Sequence, residues 1–293
     1  MNGLSKSILI LTVLIIGGCA SQARYYSSVV DYLYPDQSAP VEKTSIPVMN
    51  LPMKIAIAFV PDQGSRRQNT FWENMASGPG KKPGGLVFPE KNKADLMKEV
   101  RDHFKDNPII KSIEIIPSAY LVPGGSFSNL DQIQTMYGVD AIVLLSYDQV
   151  QFTDEGAASF LYWTLIGAYI VPGEKNTTQT MMDAAVYDIK SRKMLFRAPG
   201  LSLVKGSSTP VSLSASMRKD SEQGFDLAAK DMVINLDTQL GEFMEKVKSS
   251  PAEYKVVASQ EYLKKRGGGS LGIVFSFLSV LLAAGILWKG KYS

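Results

Sequence analysis

Val139–Gln151, VDAIVLLSYDQVQ, is the stretch on which the fold turns. Ala141–Leu145 is apolar at every position, the pattern of a strand buried on both faces. From Ser146 onward polar and apolar residues alternate, as in a strand with one face on a core. One strand therefore passes from the centre of a sheet to a more open region. Toward the N-terminus, Lys54–Val60 (KIAIAFV) and Ile109–Ile116 read as two further buried strands. Between them, Leu96, Val100 and Phe104 recur every fourth residue and predict a helix over Lys91–Lys105. A second helix is expected up to Tyr137, capped by Ser126 or Ser128 and closed by Gly138, with Leu130, Ile133, Gln134 and Tyr137 on one side.

Toward the C-terminus, Thr177–Ile189 and Met194–Val204 flank a tight turn at Ser191-Arg192-Lys193 and predict a hairpin. Met217–Val247 carries Phe225, Ala228, Met232, Leu236, Leu240, Phe243 and Val247 on one stripe, a long helix covering a sheet face and stopped by Pro251. The order strand, helix, strand, helix, strand, hairpin, helix predicts an α/β layered domain over residues 54–248: a mixed sheet with covering helices. Parallel pairing of its first three strands would need right-handed crossovers. Residues 19–53 hold Pro35, Pro40, Pro47 and Pro52 and read as a tether, with a short helix near Ser27–Leu33 packing its tyrosines on the domain. Gln63–Pro89 is rich in glycine, proline and charge and reads as a long loop, and residues 249–266 as a linker. Ala157–Val171 is uncharged but below spanning length, so a buried hairpin strand or core helix is expected, with a dip into a membrane surface as the alternative.

Composition excludes several chemistries. Cys19 is the single cysteine and His103 the single histidine, so an internal disulfide, a cysteine-built zinc site and any two-imidazole metal site are ruled out. The net charge of +3 is small and dispersed and makes no case for a nucleic-acid partner. No Gly-Lys-Ser/Thr phosphate cradle follows a strand, and no serine sits in a Gly-x-Ser-x-Gly elbow. Among the acids, Asp140, Asp148, Asp154, Glu155, Asp183 and Asp188 form no pair by spacing, and Asp183 and Asp188, five apart on one strand, face opposite sides. Ser212, Ser214, Ser216 and Lys219 read as a polar entry to a helix rather than a serine–lysine dyad. Accordingly no catalytic residue, no metal ligand and no cofactor is expected.

The two ends carry the functional signal. Met1–Ser7 holds Lys6 and no acid, Ile8–Ile16 is apolar except for Thr12, and Gly17-Gly18-Cys19 follows, the layout of an export signal over residues 1–18. At the other end, Gly267-Gly268-Gly269-Ser270 precedes Leu271–Trp288, which has no charged side chain, and Lys289 and Lys291 close the chain. At 1.5 Å per residue this run spans about 27 Å, close to a hydrocarbon core, and reads as a transmembrane helix over 271–288.

The front end resembles a bacterial lipoprotein signal peptide, with Ile16-Gly17-Gly18-Cys19 as the lipobox and Ile16 in place of the usual leucine. That resemblance implies signal-peptidase cleavage between Gly18 and Cys19, acyl transfer to Cys19, and, since Ala20 follows, delivery to the outer membrane or cell surface. The back end resembles the Gly-Gly sorting signals of rhombosortases, rhomboid-type intramembrane proteases, and the chain as a whole looks like a rhombotarget lipoprotein. Cleavage within Gly267, Gly268, Gly269 and Ser270 is then implied, from a precursor whose helix lies in the inner membrane. The centre is similar to small α/β domains of envelope lipoproteins and secretion-pore subunits, in KIAIAFV, in Tyr137-Gly-Val-Asp140 and in DAAVYDIKSRKMLF (183–196). The expected partners are the signal peptidase and acyl transferases of the lipoprotein pathway, the sorting protease, the lipid bilayer and an envelope protein. The expected role is binding or assembly. A permanently two-anchored receptor for a small ligand and an envelope hydrolase stay open as alternatives.

Overall fold

The computed structural model of the protein describes residues 21–36, 45–68, 88–155, 174–208 and 212–265. In chain order the elements are β1 (Ser21–Ser27), α1 (Val29–Leu33), β2 (Val48–Leu51), β3 (Met53–Phe59), β4 (Asp62–Gln68), α2 (Glu90–Phe104), β5 (Ile110–Ile115), α3 (Ser126–Tyr137), β6 (Ala141–Glu155), β7 (Glu174–Asp188), β8 (Lys193–Ser208), α4 (Leu213–Ser249), β9 (Lys255–Ala258) and α5 (Gln260–Lys265). A 3-10 turn, Ser118–Tyr120, follows β5. Seven strands form one mixed sheet, and β2 and β9 pair in parallel as a separate two-stranded ribbon. The expected mixed sheet with covering helices is what the chain adopts.

β6 organises the sheet. On one side it pairs with β7 along its whole length. On the other, Ala141–Leu145 pair in parallel with Ile55–Phe59 of β3, and Asp148–Thr153 pair antiparallel with Ser21–Tyr26 of β1. β3 also pairs in parallel with β5, so β5, β3 and the first half of β6 form a parallel unit. Past Phe59 the chain shifts outward by one strand and continues as β4 on the far side of β1. We call the Ala141 end of β6 proximal and the Glu155 end distal.

Helices cover the proximal sheet on both faces. On the inner face, Leu96, Met97, Val100 and Phe104 of α2 and Phe225, Met232, Leu236 and Phe243 of α4 join one core with Ile55, Ile57, Val143 and Leu145. On the outer face, Tyr32 of α1 and Phe127, Leu130 and Ile133 of α3 pack on Ala56, Ile142, Leu144 and Tyr187. Crossovers on opposite faces of β3 explain why the pure-apolar segments are buried from both sides. Gly138 ends α3 at φ 63, a left-handed conformation that costs glycine nothing, and its amide donates to the Gln134 carbonyl at 2.8 Å.

The structure departs from the sequence reading at four places. The stretch read as a tether contributes β1, α1 and β2, because its prolines fall outside these elements while β1 supplies the partner that β6 needs beyond β3. The expected short helix with packed tyrosines is α1, whose Tyr32 is fully buried. The stretch read as a loop begins with β4 instead, paired with β1, and the residues read as a linker hold β9 and α5. Neither Ser126 nor Ser128 caps α3 through its side chain: Gly125 occupies the cap, and the Ser126 Oγ accepts only from the Ser128 amide at 3.4 Å. Residues 1–20, 157–171 and 266–293, with their expected signal peptide, uncharged segment and transmembrane helix, lie outside the described residues. Among the described residues no helix is long and apolar enough to cross a membrane.

The approach of α4 to β8 is tightest at Gly200, where an added Cβ would collide with the Ala228 carbonyl and the Met232 amide. Both are backbone atoms held in a helix and cannot step aside. Gly200→Ala is expected to destabilise the fold by about 3 kcal/mol, read as a lower denaturation midpoint.

Candidate functional site

The carboxyl ends of parallel strands are where open α/β sheets bind ligands, and a polar cluster around one buried lysine stands there. Lys93, on the first turn of α2, is 2% exposed. Its Nζ donates to Glu90 Oε1 at 2.9 Å and to Asp62 Oδ2 at 3.1 Å, and the Ser118 hydroxyl donates to Glu90 Oε2 at 2.8 Å. Burial acts to raise the Glu90 pKa, but hydrogen bonds from Lys93 and Ser118 and the Lys93 charge outweigh it and hold the carboxyl below its ordinary value. Tyr147 beside the cluster is raised by burial and by the neighbouring Asp62. The ammonium is engaged by two carboxylates, so it is not offered to an anionic ligand. The cluster locks the start of α2 to the ends of β3 and β5.

The apolar recess between α2 and α4, lined by Met53, Val100, Phe104, Ile113, Leu236 and Phe243 among others, holds about 50 Å³. Ligand pockets run to several hundred cubic ångströms, so this is a gap in core packing.

The distal sheet is the unusual region, because its two faces are reversed in polarity. Beneath the N-terminal half of α4 the inner face presents Gln149, Gln151, Thr153, Asn176, Thr178 and Thr180, all buried. Gln149 is fully engaged: its amide donates to Thr180 Oγ1 at 2.8 Å and to the Ser221 carbonyl at 3.1 Å, and its Oε1 accepts from the Ser221 hydroxyl at 2.6 Å. Gln151 donates to the Met217 carbonyl at 2.9 Å, and its Oε1 has no partner among the described residues. Nearer the distal end, Asn176 donates to Asp220 Oδ2 at 2.9 Å.

The outer face of the same strands carries the apolar side chains. Register aligns Tyr26, Asp148, Met181 and Leu201 in one row, Arg24, Val150, Gln179 and Leu203 in the next, and Phe152, Thr177 and Lys205 in a third. Leu201 is 65% and Leu203 54% exposed. Arg24 and Asp148 neutralise each other across the strands at 2.6 Å, and Arg197 and Asp183 do so at 2.7 Å where the covered region begins.

The expected processing residues, Gly18, Cys19 and Gly267 to Ser270, lie outside the described residues, but the ends they adjoin are well defined. Ser21 pairs with Thr153 at the distal end. The C-terminal ribbon sits at the proximal end: Ala258 pairs with Leu51, and the Ser259 amide donates to the Leu51 carbonyl at 2.9 Å before α5 begins. Twelve residues of β6 separate Ala141 from Thr153, about 40 Å at strand rise.

The other residues weighed from sequence have structural partners or solvent positions. Asp140 accepts from the Lys54 amide at 3.0 Å and Asp188 from the Ser191 amide at 2.8 Å. His103 is exposed, edge-on to the Phe104 ring. Ser212, Ser214 and Lys219 are exposed on the entry to α4. Asp154 and Glu155 belong to the distal end of β6. Among the described residues no three His, Cys, Asp or Glu side chains come together to hold a metal ion. Sequence reading missed the polar seam, although Gln149, Gln151 and Thr153 recur at every second position.

Gln149→Leu strands the Thr180 and Ser221 groups and is expected to cost about 3 kcal/mol in chemical denaturation. Burial raises the Asp183 pKa against the opposing effect of Arg197, so ionising this carboxyl opposes folding. Its contribution to stability is greatest below the unfolded-state pKa and falls as pH rises through the folded one. Asp183→Asn should therefore gain stability relative to the parent as pH rises through and above the ordinary carboxylate range near about 4; a difference that stays flat with pH would contradict this. No family model matches the chain, and a search of curated proteins returned no match.

Proposed function

We propose that this is an exported lipoprotein of the bacterial cell envelope, acylated at Cys19 and cleaved near Gly267–Ser270 by a rhomboid-type sorting protease, with its α/β body serving in binding or assembly. In this reading the signal peptidase cuts between Gly18 and Cys19, and acyl transferases of the lipoprotein pathway modify the thiol and the new amine. The helix 271–288 holds the precursor in the inner membrane until the protease removes it. Two or three acyl chains then hold the mature protein at the outer membrane or cell surface, where a single chain would bind reversibly. Glycines before the helix lower its local stability, which suits an intramembrane protease that needs extended backbone.

One observation carries the reading: both processing motifs flank the folded body with almost no spacer. β1 starts at Ser21, two residues after Cys19, and α5 ends at Lys265, two residues before Gly267. Cuts at both motifs would leave every described element intact. The ends also stand at opposite ends of the sheet, so removing the helix would free the proximal end while the distal end stayed at the lipid. The permanently two-anchored alternative would require the body to lie along one membrane or to bridge two.

Intact-mass and terminal-peptide mass spectrometry of protein from a producing cell tests this. Diacylglyceryl-modified Cys19 at the new N-terminus and a C-terminus within Gly267–Ser270 are expected. A tail retained through Ser293 would remove the sorting step in favour of two anchors, and an unmodified Cys19 would remove the lipoprotein.

A further inference from the structure

We propose that the outer face of the distal sheet is a membrane seat, resting on the anionic surface of the bilayer that holds the Cys19 lipid. The proposal rests on the lipoprotein reading above and names the surface with which the body meets lipid.

Three observations converge on it. The first is reversed polarity. A sheet covered on one side by a helix normally turns its apolar side chains toward that helix. Here glutamine, threonine and asparagine fill the helix-covered face of the distal strands, while Leu201, Leu203, Met181, Val150 and Phe152 occupy the face that no described helix covers. The second is where the chain leaves the fold. Ser21 pairs with Thr153 at the distal end, and Cys19 lies two residues earlier. Two residues reach at most about 7 Å. An acylated Cys19 therefore draws this end of the sheet to the headgroups, within one or two rows of Phe152, Val150 and Leu203.

The third is charge. The ions among the apolar rows are paired within the face, Arg24 with Asp148 and Arg197 with Asp183. Lys175 and Lys205 are exposed on the outer face in the rows nearest the distal end, Lys175 opposite Asp154 in the register. An apolar patch bordered by lysines suits an interface rich in anionic phospholipid, where a basic residue near the surface contributes about 1 kcal/mol. A second copy of the chain docked sheet to sheet is the competing occupant, and the experiment separates the two.

Once acylated, Cys19 has no free thiol, so one introduced cysteine is a unique labelling site. Full-length protein carrying Leu203→Cys, or Ile234→Cys on the opposite, α4-covered side, is labelled with bimane. It is then reconstituted in phosphatidylethanolamine–phosphatidylglycerol vesicles containing nitroxide-labelled lipid. Ile234 is 65% exposed and Leu203 is exposed too, so neither change disturbs the core. Several-fold stronger lipid quenching at position 203 than at 234 is expected, together with protection of 203 from aqueous iodide. Equal quenching at the two positions, with Cys19 shown by mass to be acylated, overturns the seat and leaves the anchor standing. Iodide protection at 203 without lipid quenching assigns the face to a second copy and likewise overturns it. An unacylated Cys19 overturns the anchor and the seat together.

Discussion

Everything in this fold follows from a mismatch of strand lengths around β6. Buried backbone amides and carbonyls must be paired, and β6 runs for 15 residues beside a β3 of seven. β3 satisfies only Ala141 to Leu145. The rest of that edge needs another strand, and the chain supplies it from its own beginning: β1 enters antiparallel, and β4 moves outward to make room. A compact parallel α/β unit thereby gains a distal extension, and Ser21 is committed to its tip.

Among the described residues that extension has no second helical layer. α1 and α3 cover the outer face only as far as the Ala185 and Tyr187 rows. Beyond them, among the described helices, α4 alone continues, on the inner face. A strictly apolar contact beneath α4 would have left the distal strands greasy on both faces. The seam of Gln149, Gln151, Asn176 and Asp220 instead ties helix to sheet through directional bonds, and a buried polar network specifies one register where an apolar contact tolerates several. The apolar side chains of these strands are left to the outer face.

The separation of the chain ends has its own consequence. The β2–β9 ribbon closes the proximal end, bringing residues just before β3 together with residues just after α4. Under the processing proposed above, a lipid at one end of the body and a removable helix at the other would turn the molecule from a bridge or a clamp into a body held at a single point once the helix was cut.

The periodicities alone determined much of this protein. KIAIAFV and VDAIVLL carry enough apolar residues on both faces to be strands of a two-sided core, and the stripe from Phe225 to Val247 has room for nothing but a long covering helix. The patterns at the two ends, Gly17-Gly18-Cys19 and Gly267–Ser270 before an uncharged run, are likewise local features of the sequence. What only the tertiary structure decided was the fate of the segments whose local signals are weak. β1 has little strand signature of its own and becomes a strand because β6 offers unpaired backbone; β9 does so because β2 is beside it. Which face of an alternating strand turns inward is also a tertiary decision. Alternation says that the Gln149 and Val150 sides differ, but the position of α4 determines which one is buried, and here it selected the polar side.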